Sequence, residues 1–161
     1  MTHKLIALAL ALVSTAAASA PALAASSSAM YSDKRIVIST SQAEKNQVLS
    51  EMREFLHGLH NINHALARQD MKGVAVVARP MGPLLERIPA SLKERLPEEF
   101  TLLAIAMNEA FQNLARDAEG KGGAGKDTLT QAHGNLAEVM TYCSGCHDTY
   151  RFNVVPMKPR K

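Results

Sequence analysis

The residues best suited to chemistry are two cysteines and a histidine near the end of the chain, in the run Cys143-Ser-Gly-Cys146-His147. Residues three and four apart share one face of a helix, so these three side chains can point together at one planar object. C-x-x-C-H is the attachment signature of c-type haem: each thiol adds across a vinyl group, and the imidazole binds the iron. The motif therefore predicts one covalent haem c, with Cys143 and Cys146 as tethers and His147 as the proximal ligand.

Three other uses of the two cysteines compete with haem attachment. A thioredoxin-like pair lies at the start of a helix that follows a strand, whereas this pair is expected at the end of a helix. A zinc site normally needs four ligands from paired motifs, and the sequence has no second C-x-x-C. A structural disulfide would give His147 no role. Covalent haem is the leading interpretation, and a disulfide or redox pair and a metal site are the alternatives.

The first residues of the chain have the three-part pattern of a secretory signal peptide. A short positive start containing Lys4 precedes the apolar run Leu5–Val13, and Ala22-Leu-Ala24 fits the cleavage site. Nine apolar residues are far fewer than the roughly 20 that a membrane-spanning helix needs. We therefore expect residues 1–24 to be removed and the mature protein to be exported to a periplasm, with no membrane span.

The rest of the chain is dominated by the helical period, except near its start. Residues 25–41 are rich in Ser and Ala and contain the β-branched patch Ile36-Val-Ile38. We expect them to form a flexible leader, because one isolated strand has nothing to pair with. Residues 156–161 form a basic tail. Between these two, residues 42–155 are expected to form one domain.

Four amphipathic segments divide this domain. Pro80, Pro83 and Pro89 must break the second segment, so we expect a helix to about Ala78, a turn, and then another short helix. Four helices with short connections favour an all-α fold, an antiparallel four-helix bundle, with the haem attached near its C-terminal helix. The segments are 42–69, 71–96, 97–119 and one from 127 or 128 through the C-x-x-C-H motif.

The first of these helices carries an apolar stripe that includes a methionine. Its spacing of three and four is typical of a helix that packs on one side. The methionine could serve as adaptable core filler. The stripe consists of Val48, Leu49, Met52, Phe55, Leu56, Leu59, Ile62 and Leu66.

The chain resembles the class II c-type cytochromes, which comprise cytochrome c′ and its low-spin, Met-ligated relatives. The resemblance covers about residues 42–152 and rests on Cys143-Ser-Gly-Cys-His-Asp-Thr-Tyr-Arg151, on the four helices and on Met52-Arg-Glu-Phe-Leu-His-Gly58. It implies that Met52 supplies the sixth ligand of the iron. It also implies that Arg151 lies near the axial imidazole or a haem propionate, although Arg151 could simply begin the basic tail. The proline-rich second segment departs from the simpler second helix of the family.

Four further histidines are candidates for other roles. His57, His60 and His64 cluster on a helical face that points away from the apolar stripe. Their spacing would allow a divalent metal to bridge two of them, but a solvated or partner-facing surface is favoured. His133 lies roughly 21 Å along a helix from His147, so it cannot bind the same iron, and we expect it to be partly buried.

Together these observations predict a periplasmic monohaem cytochrome that carries single electrons between other periplasmic redox proteins. We expect no enzyme, because the sequence offers no nucleophile–base pair, paired acids or nucleotide loop. A formal charge of +3 is too small and too evenly spread to indicate a nucleic-acid partner. A homodimer formed through the first helix is left open, as is a subunit role in a larger dehydrogenase. The main alternative is a five-coordinate, cytochrome c′-type haem protein that binds nitric oxide or carbon monoxide, with Met52 only shielding the pocket.

Overall fold

Helices make up most of the fold, with one short sheet. The structure, a computed structural model, describes residues 32–121 and 127–156. The predicted signal peptide, residues 1–24, and all of the basic tail except Pro156 lie outside these ranges. Within them the elements are β1 Ile36–Thr40, α1 Gln42–Ala67, α2 Met71–Ala78, α3 Leu84–Arg87, α4 Ala90–Lys93, α5 Glu98–Ala118, α6 Thr128–Thr149 and β2 Tyr150–Val154.

The start of α1 is fixed by a capping box. The Oγ of Ser41 accepts a hydrogen bond from the backbone N–H of Glu44, and the Glu44 carboxylate accepts one from the N–H of Ser41. Two backbone donors that the first turn would leave unsatisfied are thus paired. The helix ends at Ala67, and Gln69 has a positive φ of 56° that reverses the chain direction before α2.

Prolines lie at the boundaries of the next helices, as the sequence predicts. α2 stops at Ala78, just before Pro80, and the chain then forms the two single-turn helices α3 and α4. Proline lacks a backbone N–H and clashes with the preceding turn, so no long helix can run through this segment. Pro97 is the N-cap residue of α5, and Glu98 and Glu99 occupy its first turn, where the helix dipole favours negative charge.

The sheet corrects, for Ile36–Thr40, the prediction that residues 25–41 form a flexible leader, and residues 25–31 lie outside the described ranges. Ile36–Thr40 pair in parallel with Tyr150–Val154, Ile36 opposite Tyr150 and Thr40 opposite Val154. Ile38 is only 2% exposed. The prediction was wrong for this segment because it assumed that no partner strand existed, whereas the residues directly after α6 supply one. The described chain is therefore mostly helical, as the sequence predicts, with a small two-stranded sheet that was not predicted.

The apolar core lies between the long helices. α5 packs against α6 and α2, and α1 packs against α2. Of the helices in the described ranges, none combines the length and the apolar character needed to cross a membrane.

The buried side of α1 is narrower than the predicted stripe, because Leu49 and Leu56 are 45% and 65% exposed. The buried residues of α1 are Glu44, Val48, Glu51, Phe55, Gly58, Ile62, Ala65 and Leu66.

Two of those buried residues are glutamates, and both are paired. The carboxylate of Glu44 accepts hydrogen bonds from Arg95, at 2.7 Å, and from the hydroxyl of Ser91. Glu51 binds the Nε of Arg87 at 2.6 Å. A buried charge persists only when it is paired and hydrogen-bonded, so these pairs tie α1 to the proline-rich segment.

Candidate functional site

An apolar cavity of about 300 Å³ opens between α1, the α3 segment, α5, the end of α6 and β2. Its volume is at the lower end of the range of about 300–1,000 Å³ found for small-molecule and cofactor sites. Most of its lining is aliphatic or aromatic, with a few polar groups at one side. The lining residues are Val48, Met52, Phe55, Leu56, Leu59, Leu84, Ile88, Phe100, Ala104, Met107, Cys143, Cys146, His147, Tyr150 and Phe152.

Four of the five predicted site residues meet at this cavity. Cys143, Cys146 and His147 approach it from α6, and Met52 approaches it from α1. Arg151 is not among the lining residues. It lies on β2 between two residues that are, and successive side chains of a strand point to opposite faces. Its predicted contact with a haem stays a prediction.

The C-x-x-C-H motif occupies the last two turns of α6. Cys143 and Cys146 are half-buried against the cavity, whereas His147 is exposed to solvent as well as to the cavity. The helix stops at Thr149, and the chain continues directly as β2. The carbonyl of His147 accepts a hydrogen bond of 3.2 Å from the Nη1 of Arg35. A carbonyl in the last turn has no partner inside the helix, so the segment at β1 helps to cap the motif.

Burial determines the protonation of the two thiols. It raises the pKa of Cys143. It raises the pKa of Cys146 to about 11, with a smaller contribution from the neighbouring Cys143. Both side chains are therefore neutral thiols near neutral pH. Redox-active C-x-x-C pairs have a lowered pKa because they lie at a positive helix N-terminus, and this pair lies at the other end of its helix.

The aromatic residues of the chain are concentrated at the cavity. Phe100 makes edge-to-face contacts with Tyr150 and Phe152, at centroid distances of 5.3 and 5.8 Å. Together with Phe55, they place four of the seven aromatic residues of the sequence in its wall. The sequence alone did not identify Phe100 or Phe152 as site residues. The alternation of Tyr150 and Phe152 was a signal for a strand with one apolar face.

An ion pair holds the proline-rich segment against the cavity. Arg87 binds Glu51, and its Cζ lies 5.6 Å from the ring centroid of Phe55. Its buried Nη2 has no hydrogen-bond acceptor among the described residues, so the ring face is an important part of its surroundings. Leu84 and Ile88, on either side of Arg87 along the chain, both line the cavity. The pair therefore fixes the part of the wall that comes from outside the long helices.

The cavity contains a second thioether that the sequence did not single out. Met107 of α5 is 6% exposed and lines the same cavity as Met52, which is half-buried. Both methionines lie on apolar helix faces, so periodicity does not distinguish them. The structure thus offers two soft sulfur donors in place of the single predicted one.

The remaining histidines lie outside the cavity. His57, His60 and His64 are exposed, which confirms that their face of α1 points away from the core. His133 is also exposed, so the expectation that it is partly buried was wrong. Across residues 32–121 and 127–156, no group of three or more His, Cys, Asp or Glu side chains is arranged to hold a metal ion.

Comparisons with protein-family models, with curated proteins and with solved structures returned no match for this chain.

Proposed function

We propose that the protein is a periplasmic monohaem c-type cytochrome that carries single electrons between other periplasmic redox proteins. The observation that carries the proposal is the convergence of the C-x-x-C-H side chains and the Met52 thioether on one apolar cavity. Export would follow from the signal-peptide pattern of residues 1–24.

The residues at the cavity fit a covalently attached haem. The two thiols lie on one face of α6, where they can form thioethers with the same ring, and His147 follows in the same turn. The wall offered by Phe100, Tyr150 and Phe152 is apolar and suits a large flat hydrophobe. When bound, the haem supplies iron that cycles between the ferric and ferrous states.

The protein's own contribution is to hold two ligand atoms and to exclude water. We infer that the His147 imidazole and the Met52 thioether would hold the iron, a pair of donors that would serve both oxidation states. Phe55, one turn from Met52 on α1, is buried and closes the cavity behind it. We also infer that α1, α2, α5 and α6 form the antiparallel four-helix bundle typical of class II cytochromes.

Covalent attachment is tested by extracting the purified protein with acid and acetone. The parent should keep its haem, whereas the double variant Cys143→Ala/Cys146→Ala should lose it. The matched control is Ser144→Ala, which changes one of the two residues between the cysteines and should leave attachment intact. A parent that releases all of its haem, or that is purified without haem and with a Cys143–Cys146 disulfide, would contradict the proposal.

The rival function is five-coordinate haem that binds nitric oxide or carbon monoxide. It shares the tethers and His147, and it differs only in whether a sulfur occupies the sixth position. The absorption spectrum of the ferrous protein separates the two. Sharp, split visible bands indicate low-spin His/Met iron, and a broad high-spin spectrum indicates an open position.

A further inference from the structure

The exposed face of α1 carries an arrangement of histidines that the electron-transfer proposal does not use. The imidazole rings of His60 and His64 stack nearly parallel, with an interplanar angle of 8° and centroids 6.3 Å apart. Both side chains are exposed, and neither lines the cavity. The two rings therefore form a pair on the protein surface, on successive turns of one helix.

We propose that His60 and His64 form a surface site for a divalent transition metal. Imidazole nitrogen is a good ligand for Cu²⁺, Ni²⁺ and Zn²⁺, and such nitrogen sites follow the order in which Cu²⁺ binds most tightly. Two histidines four residues apart on a helix are also the pair that binds zinc in helical metal motifs. Rotation about the side-chain bonds can bring the two rings onto one ion while the backbone of α1 stays in place.

The site has two protein ligands, and water completes the coordination. His57 lies three residues before His60 but two turns from His64, a rise of about 10 Å along the helix, so one ion cannot bind all three. This agrees with the lack of any group of three or more such side chains able to hold a metal within the described ranges. The site is therefore open, and it differs from the closed four-ligand sites of structural zinc.

The positive charge of the neighbouring Arg68 disfavours the binding of a cation at His64. The Nη1 of Arg68 lies 3.5 Å from the Nε2 of His64, so a bound cation must displace that contact and tolerate a nearby positive charge. Arg68 is exposed, and its Nη2 lies 3.8 Å from a carboxylate oxygen of Asp70. The arginine can therefore turn toward Asp70 when the metal binds, and its removal should strengthen binding.

This site is independent of the proposed haem function. His60 lies about 12 Å further along α1 than Met52, since each residue adds about 1.5 Å. The two histidines contribute no atom to the cavity. Metal binding at the pair is therefore expected whether or not haem is attached, and failure of one proposal leaves the other standing.

The experiment titrates the purified full-length mature protein, in the form in which it is isolated, with Cu²⁺ and separately with Zn²⁺. Calorimetry measures affinity, and electron paramagnetic resonance detects nitrogen coordination to copper. His60→Ala and His64→Ala should each weaken binding by about tenfold or more, and Arg68→Ala should strengthen it. His133→Ala, which removes an exposed histidine on α6, should bind as the parent does.

Three results would overturn the proposal. The first is a parent that binds neither ion. The second is a pair of His60 and His64 variants that bind as tightly as the parent, which would place the metal elsewhere, for example at the amino terminus. The third is a His57→Ala variant that loses affinity while His64→Ala binds as tightly as the parent, which would assign the site to His57 and His60 instead.

Discussion

Met52 in the first long helix and His147 in the last turn of α6 line the same cavity, although almost the whole domain separates them in sequence. Cys143 and Cys146 lie beside His147 on the same wall. A haem held by those cysteines would therefore lie within the cavity that also contains a thioether. Met107 lines the same cavity, so its thioether competes with that of Met52 for the ligand role in the proposed function.

Met52→Ala should change the spin state of the iron. Under the proposed ligation by Met52, removal of its thioether would open the sixth position, so the sharp ferrous spectrum expected of the parent should become the broad spectrum of high-spin haem. Met107→Ala is the matched control, because it removes a second thioether from the same cavity and should keep the low-spin spectrum. A low-spin Met52→Ala protein together with a high-spin Met107→Ala protein would transfer the role of ligand to Met107.

Ile38→Ala should destabilise the fold far more than Ile36→Ala. Both residues lie on β1, but Ile38 is 2% exposed and Ile36 is 50% exposed. Truncation of a buried isoleucine costs about 2–5 kcal/mol through lost burial and the cavity left behind. Denaturant unfolding followed by circular dichroism measures the difference. Equal, small effects would mean that β1 is a dispensable leader after all.

The Glu44 pair should make stability depend on pH in the acid range. Burial opposes ionisation, but hydrogen bonds from Arg95, Ser41 and Ser91 outweigh it and lower the pKa of Glu44 from 4.5 to about 2. A lowered pKa stabilises the fold above about pH 4.5, and the stabilisation is lost as the pH falls through about 2. The shift corresponds to about 3 kcal/mol of unfolding free energy.

Urea unfolding at a series of pH values tests this linkage. Glu44→Gln should lose about 3 kcal/mol at neutral pH and approach the parent as the pH falls toward 2. Glu54→Gln, an exposed glutamate on the same helix, serves as the control and should follow the parent throughout. A constant difference between the parent and Glu44→Gln at every pH would show that Glu44 contributes packing rather than charge.

Gly82→Ala should cost more stability than Gly120→Ala. Both glycines have positive φ, 104° and 74°, where a side chain brings a strain of roughly 1–2 kcal/mol. At Gly82 an added Cβ would also lie 2.7 Å from the Cα of Asn108 on α5, whereas nothing lies within 4 Å at Gly120. The difference in unfolding free energy therefore isolates the close approach of the proline-rich segment to α5. Equal losses of unfolding free energy in the two variants would mean that backbone strain alone destabilises Gly82→Ala and that the contact with Asn108 adds nothing.

Local chemistry explains why the helix boundaries could be predicted. Proline removes a backbone donor wherever it occurs, so the end of α2 before Pro80 does not depend on distant residues. The start of α5 after Pro97 follows in the same way. The capping box of Ser41 and Glu44 is equally local, because its partners are three residues apart.

The burial of Glu44 and Glu51 could not be predicted in this way. Glutamate is normally exposed, and it becomes buried only when a partner from elsewhere compensates its charge. Those partners, Arg95 and Arg87, come from the segment between α2 and α5. The same limit applies to β1, since its strand pattern was visible but its pairing with β2 depends on residues at the far end of the domain.

The sequence by itself determined the shared face of Cys143, Cys146 and His147, because helical spacing fixes how near neighbours are placed relative to one another. It also placed His57, His60 and His64 opposite the core side of α1. Only the tertiary structure decided which distant elements cover each face. The meeting of Met52 with the C-x-x-C-H motif at one cavity arises from the packing of α1, α5, α6 and β2, and packing depends on residues far apart in the chain.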